Sequence, residues 1–339
     1  MKSGRYLSII LGSLGTIAQA QPPNYDFQFA TVGAPGNVAF NNPSWPYATV
    51  SNGRGSVNYE YRISTLEVTT SQWMEFVNTY STQGVSGWTW TVGPSFWGAQ
   101  MDTGYGGPGV RWKLKSVPNA AMFPVTGISW RESAMFCNWL HNGKSNALSA
   151  KDNGSYDTST FTTNPNGTFN DQRTHHPDAK YWIPTLDERM KAVHYDPNRY
   201  GPGQEGWWLY PLGSDDQPVG GLPGQGQANS GFDLPGFGHW NIPLGSYPES
   251  LTPWGLLDAS GASSEWIEYT YFENEPRERG LAGSWAGGST LFDHANELSS
   301  LRPWSVSIRT GLRIASAVPA PSSVVLVVFG SGCLFRRRR

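Results

Sequence analysis

A chain of 339 residues with 24 Lys and Arg against 26 Asp and Glu is close to neutral, and gives no basic surplus for a nucleic-acid partner. Its 40 Gly and 25 Pro stay below the share of low-complexity sequence, and 16 Trp, 15 Tyr and 15 Phe supply more apolar surface than a disordered polymer carries. Two Cys exclude a disulfide framework, and no apolar run approaches the roughly 20 residues of a spanning helix.

In chain order, Lys2 and Arg5, an apolar stretch from Tyr6 to Ile17, and Ala18-Gln19-Ala20 predict a secretory signal peptide over residues 1–20, cut after Ala20 by signal peptidase. The first good strand runs from Tyr59 to Val68, with Tyr61, Ile63 and Leu66 as core candidates. Thr69-Thr70-Ser71-Gln72 is a capping box, and Trp73, Phe76, Val77 and Tyr80 follow at helical spacing, so a helix with one buried face starts there. A second helix opens at Ser129 with Glu132 three residues on, buries Phe136, Trp139 and Leu140, and stops at Asn142-Gly143. A third is capped by Thr185 and Glu188, with a weaker stripe of Leu186, Met190 and Val193. Further strands are expected at 123–128, 181–183, 255–257, 266–269 and 311–314. Long loops at 83–119, 145–180 and 197–230 carry Trp88, Trp90, Trp97, Trp112, Trp207 and Trp208, which implies that they pack onto the domain. The expected class is α+β, one domain over 21–315, with few helices, short strands and long packed loops.

The end of the chain reads Val318-Pro319-Ala320-Pro321, then an apolar stretch from Val324 to Phe335, then Arg336, Arg337, Arg338 and Arg339. Twelve helical residues span about 18 Å, short of a hydrocarbon core of about 30 Å. This order resembles the PEP-CTERM sorting signal (316–339), with Ala320 where an acidic residue is usual. The resemblance implies handling by an exosortase-type enzyme, transient membrane anchoring and delivery to the cell envelope or beyond. Removing both ends takes away six basic residues and Cys333 and leaves a net charge of −8, with Cys137 as the one remaining thiol.

Eight short motifs lie in one order: Glu67 to Trp73, Pro124 to Trp130, Cys137 to Leu140, Ile183-Pro184-Thr185 with Glu188, Gly255 to Gly261, Glu265-Trp266, Gly283-Ser284-Trp285 and Gly311-Leu312-Arg313. Together they resemble the formylglycine-generating enzyme, or sulfatase-modifying factor, family, from about Phe29 to Ala315. That implies a C-type-lectin-like α+β fold. Thr31-Val32-Gly33 with Asn37, then Tyr59 to Ile63, is similar to a variant on exported bacterial members.

Departures from the family pattern bear on function. Members that oxidise a sulfatase cysteine use a copper-binding cysteine pair near the end of the domain, and Ser284 to Ala315 contains no cysteine here. Soft Cu(I) wants paired thiolates, and Cys137 sits among apolar neighbours, which weighs against copper and reads as core packing. His175-His176 with Asp178 is the one histidine cluster and reads as solvated loop rather than an iron site. For calcium, Asn229 with Asp233 matches the start of one family site, and Glu265 the other, where Ala262 removes a side-chain ligand; the alternative for Glu265 is a buried carboxylate fastening the turn. Arg189 and Lys191 stand where the family usually has Trp and Tyr, so the third helix is expected to bury less. Asp215-Asp216 reads as a turn, and no hydrolase, zinc-protease or P-loop motif is present. The expectation is an exported binding or structural module, its ligand an envelope polysaccharide or protein. The alternatives are an active oxidase of sulfatase cysteines or another metal-dependent member of the family, and a lectin-like glycan binder that uses its loop tryptophans.

Overall fold

A computed structural model describes residues 21–44, 50–84 and 93–318. Their strands are β1 (Phe29–Val32), β2 (Tyr61–Ser64), β3 (Ala99–Met101), β4 (Trp112–Leu114), β5 (Tyr181–Trp182), β6 (Tyr195–Asp196), β7 (Gly206–Trp207), β8 (Ser264–Tyr271), β9 (Glu278–Ala282), β10 (Ser299–Leu301), β11 (Thr310–Gly311) and β12 (Ala315–Ala317). Three α-helices, α1 (Thr70–Ser81), α2 (Trp130–His141) and α3 (Leu186–His194), interrupt them.

All three helices start where the capping signals place them. In each, the Thr69, Ser129 or Thr185 side chain accepts from the backbone N–H three residues on, and Gln72, Glu132 or Glu188 answers back. The apolar stripes of α1 and α2 meet in one aromatic cluster. Trp73 stacks on Phe136 at 5.2 Å between ring centroids, and Phe76 meets Phe136 edge-on at 5.4 Å. Gly143, at φ 73°, ends α2 in the left-handed conformation that glycine takes without strain.

β1-β2-β12-β5 form one four-stranded sheet and β10-β9-β8-β11 the other. The first sheet joins the two ends of the domain: β12 pairs antiparallel with both β2 and β5, so its backbone is satisfied on both edges. This strand runs two residues past Ala315, where the domain was expected to end.

Two expected strands are absent. Residues 123–128 make isolated bridges only, Thr69 with Pro124 and Phe96 with Thr126, because Pro124 has no N–H and Gly127 turns at φ 81°. Residues 255–257 form no strand: Gly255, at φ 81°, closes a turn by donating to the Thr252 carbonyl (2.9 Å), and the chain leaves it irregular. β9 and β12 went unforeseen: Glu278-Arg279-Gly280-Leu281-Ala282 and Ala315-Ser316-Ala317 have little β-branched or aromatic character, and it is their neighbours that make them strands.

Of the loop tryptophans, Trp97 and Trp207 are buried, and Trp112 packs edge-on to Trp97 at 5.0 Å. Trp208 donates from Nε1 to Asp196 (3.1 Å) under the Arg199 guanidinium. Trp88 and Trp90 lie outside the described residues. Among the described residues, no helix is long and apolar enough to cross a membrane.

Candidate functional site

α3 buries eight of its nine residues, and this corrects the expectation of a reduced face. Arg189 and Lys191 are both buried, where the long side chains meet partners rather than water. Lys191 Nζ donates to the carbonyls of Ala34 (2.8 Å) and Val57 (3.3 Å). Arg189 reaches the carboxylate of Glu265, which Arg313 grips from the other side at 2.8 Å. Burial raises the Glu265 pKa, but the two guanidiniums more than offset this and hold it below its ordinary value. Its neighbour Glu67, buried and facing that negative charge, is pushed far up; it accepts from Ser263 N (3.1 Å) and Oγ (2.7 Å).

The calcium candidates do not converge on one site. Glu265 has two guanidiniums where a cation would have to sit. The Asn229 side chain is consumed by the fold: Oδ1 accepts from Ala262 N (2.6 Å) and Nδ2 donates to the His239 carbonyl (3.1 Å). Asp233 is 86 % exposed and lies 4.0 Å from His239. Among the described residues, no three His, Cys, Asp or Glu side chains group as a metal site.

Cys137 is fully buried in α2. Burial, and then the charge of Glu268, push its thiol far up, so the thiolate that copper or oxidation requires is disfavoured. In the segment after Ser284, Gly287 turns at φ 73°, and a Cβ there would meet His239 Nε2 at 2.8 Å and Asp233 Oδ1 at 3.0 Å. The residues present therefore do not fit a copper-thiolate centre.

Asp293, in the same segment, is buried under Ser284 N (2.7 Å), Ser284 Oγ (3.0 Å) and Ser260 Oγ (2.6 Å). Burial outweighs those donors and pushes its pKa up to about 6. An acid with a raised folded pKa stabilises the fold fully below its unfolded pKa of 3.8 and loses that contribution as pH rises through about 6. Asp293→Asn removes the titration. Relative to wild type, the variant is expected to gain about 2 kcal/mol between pH 4 and pH 7, read by urea unfolding at both. A wild-type-to-variant difference that does not change with pH would contradict the assignment.

His175 corrects the solvated-loop expectation. Its ring stacks on Trp182 at 4.5 Å, and Nδ1 lies 2.9 Å from Glu268 Oε2. Burial lowers its pKa, but Glu268, by charge and hydrogen bond, more than compensates and leaves it raised. Glu268 Oε1 also accepts from His175 N (2.8 Å) and from the Tyr156 hydroxyl. Trp182 Nε1 donates to Glu188 (3.0 Å), which also accepts from the Tyr59 hydroxyl (3.0 Å). The α3 capping residue thus belongs to a continuous polar network. His176 and Asp178 stay exposed, 3.8 Å apart. Asp215 and Asp216 form the expected turn, with Asp215 paired to Arg199.

That network borders a cleft of about 810 Å³. One wall is the 54–59 segment. Gly55, at φ 85°, donates to Asp187 Oδ1 (2.6 Å), and Arg54 holds Asp187 through Nε (2.9 Å) and Nη2 (2.8 Å). Asn37 clamps the same wall from behind, donating to Gly55 O (2.9 Å) and accepting from Val57 N (3.0 Å). The floor comes from β8, whose ladder with β9 slips register between Trp266 and Thr270. In a regular strand neighbouring side chains alternate; the slip lets Glu268, Tyr269 and Thr270 all line the cleft. Thr185 and Tyr59 stood out in the sequence as a helix cap and a strand start, as did Glu188 and Asn37 around the cleft, but none of them as a cleft residue, since an Arg, a Tyr and a Thr in turns and a short strand carry no site motif.

The model of the sulfatase-modifying factor enzyme 1-like domain matches residues 33–318. The chain belongs to this family. No curated protein matches it by sequence. In fold it is similar to CarF, at a TM-score of 0.50 and 18% identity, covering 87% of this chain and 99% of that one. Treponema denticola variable protein 1 (TM-score 0.46, 14% identity, 86% and 95% coverage) and PvdO from Pseudomonas aeruginosa (0.44, 13%, 91% and 100%) are more distant. The few helices, short strands and long packed loops are those of the family's C-type-lectin-like α+β fold. The candidate ends of the chain, Ala18, Ala20, Pro319, Pro321 and Arg336 to Arg339, lie outside the described residues; Val318, half-buried, is the last one described.

Proposed function

We propose that this sulfatase-modifying-factor domain is a binding module of the cell envelope and not an oxidase. The observation that carries the reading is the environment of Cys137. The one thiol between the two ends of the chain is fully buried in α2 and held protonated by that burial, and the segment 284–315, where family oxidation would draw on a cysteine pair, has none. Salt-bridging at Glu265 and the packed Gly287 turn add to this, since each fills with protein what a metal or a thiol would need.

The reading includes export through the 1–20 leader, sorting through the Pro-containing, apolar and arginine-rich tail by an exosortase-type enzyme, and an envelope location. Mass spectrometry of the protein from its native envelope is expected to find a start at Gln21 and the loss of Arg336 to Arg339. Intact ends would overturn the sorting scheme.

Turnover decides the catalytic question. Incubated with copper, oxygen and a cysteine-bearing sulfatase peptide, the protein is expected to yield no formylglycine; turnover above the copper-only rate would refute the binding-module reading. Cys137 provides a second check. Iodoacetamide is expected to leave it unmodified in the native protein and to alkylate it once urea opens the fold, as peptide mapping would report. Rapid native labelling would show a reachable thiol.

A further inference from the structure

The cleft beside α3 has a composition that selects a ligand class. Its inner charges are spent within the protein: Arg54 is locked bidentately on Asp187, and Glu268 is held by His175 and Tyr156. The two other charged residues that line it, Arg173 and Glu273, are exposed and opposite in sign, so neither an anion nor a cation meets a cluster of one charge. What is left is directional and close to neutral. Asn58 and Thr174 offer amide and hydroxyl groups, the hydroxyls of Ser56 and Thr270 already bond to Asn37 O (2.7 Å) and Arg279 Nη1 (3.2 Å) and keep one further bond each, and Tyr59 and Tyr269 supply rings. Few apolar side chains line it, so a lipid or a hydrophobic peptide anchor would find little to fill.

The wall is also built before any ligand arrives. Asn37, Asp187 and Trp207 fix the 54–59 segment from three directions, so little ordering is required on binding. Immediately after β8, Phe272 adopts φ 56° and is 73 % exposed. A bulky residue in the left-handed region is strained, and strain kept in an exposed aromatic beside a cleft residue, Glu273, points to use rather than packing.

From these observations we infer that the cleft binds a neutral oligosaccharide without calcium, its sugar faces against Tyr59, Tyr269 and Phe272 and its hydroxyls on Asn58 and the threonines. A chain of uncharged hydroxyls with apolar C–H faces is the ligand that matches rings and neutral hydrogen-bonding groups together. The inference rests on the binding-module reading, since it names that module's ligand. It does not use the loop tryptophans.

The test applies the full domain to an array of neutral and anionic glycans in EDTA, then titrates the best neutral glycan by calorimetry. Binding is expected in EDTA, at least tenfold weaker in Tyr59→Ala, a change of about 1.4 kcal/mol, and several-fold weaker in Asn58→Ala and Phe272→Ala. All three positions are exposed, and midpoints close to wild type are expected for Asn58→Ala and Phe272→Ala. Tyr59→Ala also takes a hydroxyl from Glu188 (3.0 Å), and Tyr59→Phe, which loses that bond but keeps the ring, is expected to retain binding and so separates the lost contact from a lost fold. Overturning results are an array with no neutral hit, hits confined to anionic glycans, binding that EDTA abolishes, or binding that none of the three variants weakens. Those outcomes leave the absence of oxidase turnover intact; formylglycine formation would instead remove the reading on which the inference stands.

Discussion

Glu265→Ala is expected to cost about 3–5 kcal/mol, read as a shift of the urea midpoint, because it strands two buried guanidiniums. Arg313 keeps its bonds to the carbonyls of Ser64 (2.8 Å) and Leu257 (2.8 Å), but these are dipoles and do not cancel a charge. Arg189 is fastened by Glu265 alone among the described residues, through Nε. The effect should therefore shrink when Arg189 goes as well. In Arg189→Met combined with Glu265→Ala the loss is expected to be smaller than the sum of the single losses, because one stranded cation is gone. A single-variant loss below about 1 kcal/mol would mean that water or Glu67 replaces the missing anion. The pair also has a pH signature. Glu265 has a lowered folded pKa, so its contribution is present above the unfolded value of 4.5 and is lost as pH falls through the folded one. The penalty of the variant should fade in acid.

Gly55→Ala is expected to cost about 2–4 kcal/mol and to weaken glycan binding more than tenfold. The residue sits at φ 85°, where a Cβ is strained whatever the space, and here that Cβ falls well inside contact distance of the Trp207 indole. Trp207 cannot swing aside, being buried edge-on to Phe40 at 5.6 Å and against Tyr195 at 5.3 Å. The displaced backbone would carry Arg54 off Asp187 and open the wall. A variant of wild-type midpoint and wild-type affinity would show that the 54–59 segment is looser than its hydrogen bonds imply.

The three helix starts, and the faces that α1 and α2 bury, were legible because a capping box and a 3.6-residue stripe are local signals. Asn37 was legible as part of a motif, and its reason is the clamp on residues 55–57. The buried ion cluster was half legible. Glu265 as a fastening carboxylate was one of two readings, and its fasteners proved to be Arg189 and Arg313, from α3 and the end of the domain, rather than turn amides. Arg189 and Lys191 misled because polarity in a helix reads as exposure when the partners are 76 residues away, as Glu265 is, or 157, as Ala34 is. His175 misled for the same reason: Glu268 lies 93 residues on. Tyr59, Thr185 and the strand over 266–269 were legible one by one, but the cleft they form was not, because a register slip between two strands leaves no pattern in either one.

The slip in β8 has an evolutionary reach beyond its geometry. Recognition surfaces usually draw on residues scattered through a gene, so that changing specificity takes several unlinked mutations. Here 268, 269 and 270 are three adjacent codons. Glu268 is tied to His175 and Tyr156, and Thr270 accepts from the buried Arg279 (3.2 Å), so Tyr269 is the position with most room to change, and a short cassette that randomises it and allows only Ser or Thr at 270, screened against sugars, would sample new specificities while the rest of the scaffold stays as it is.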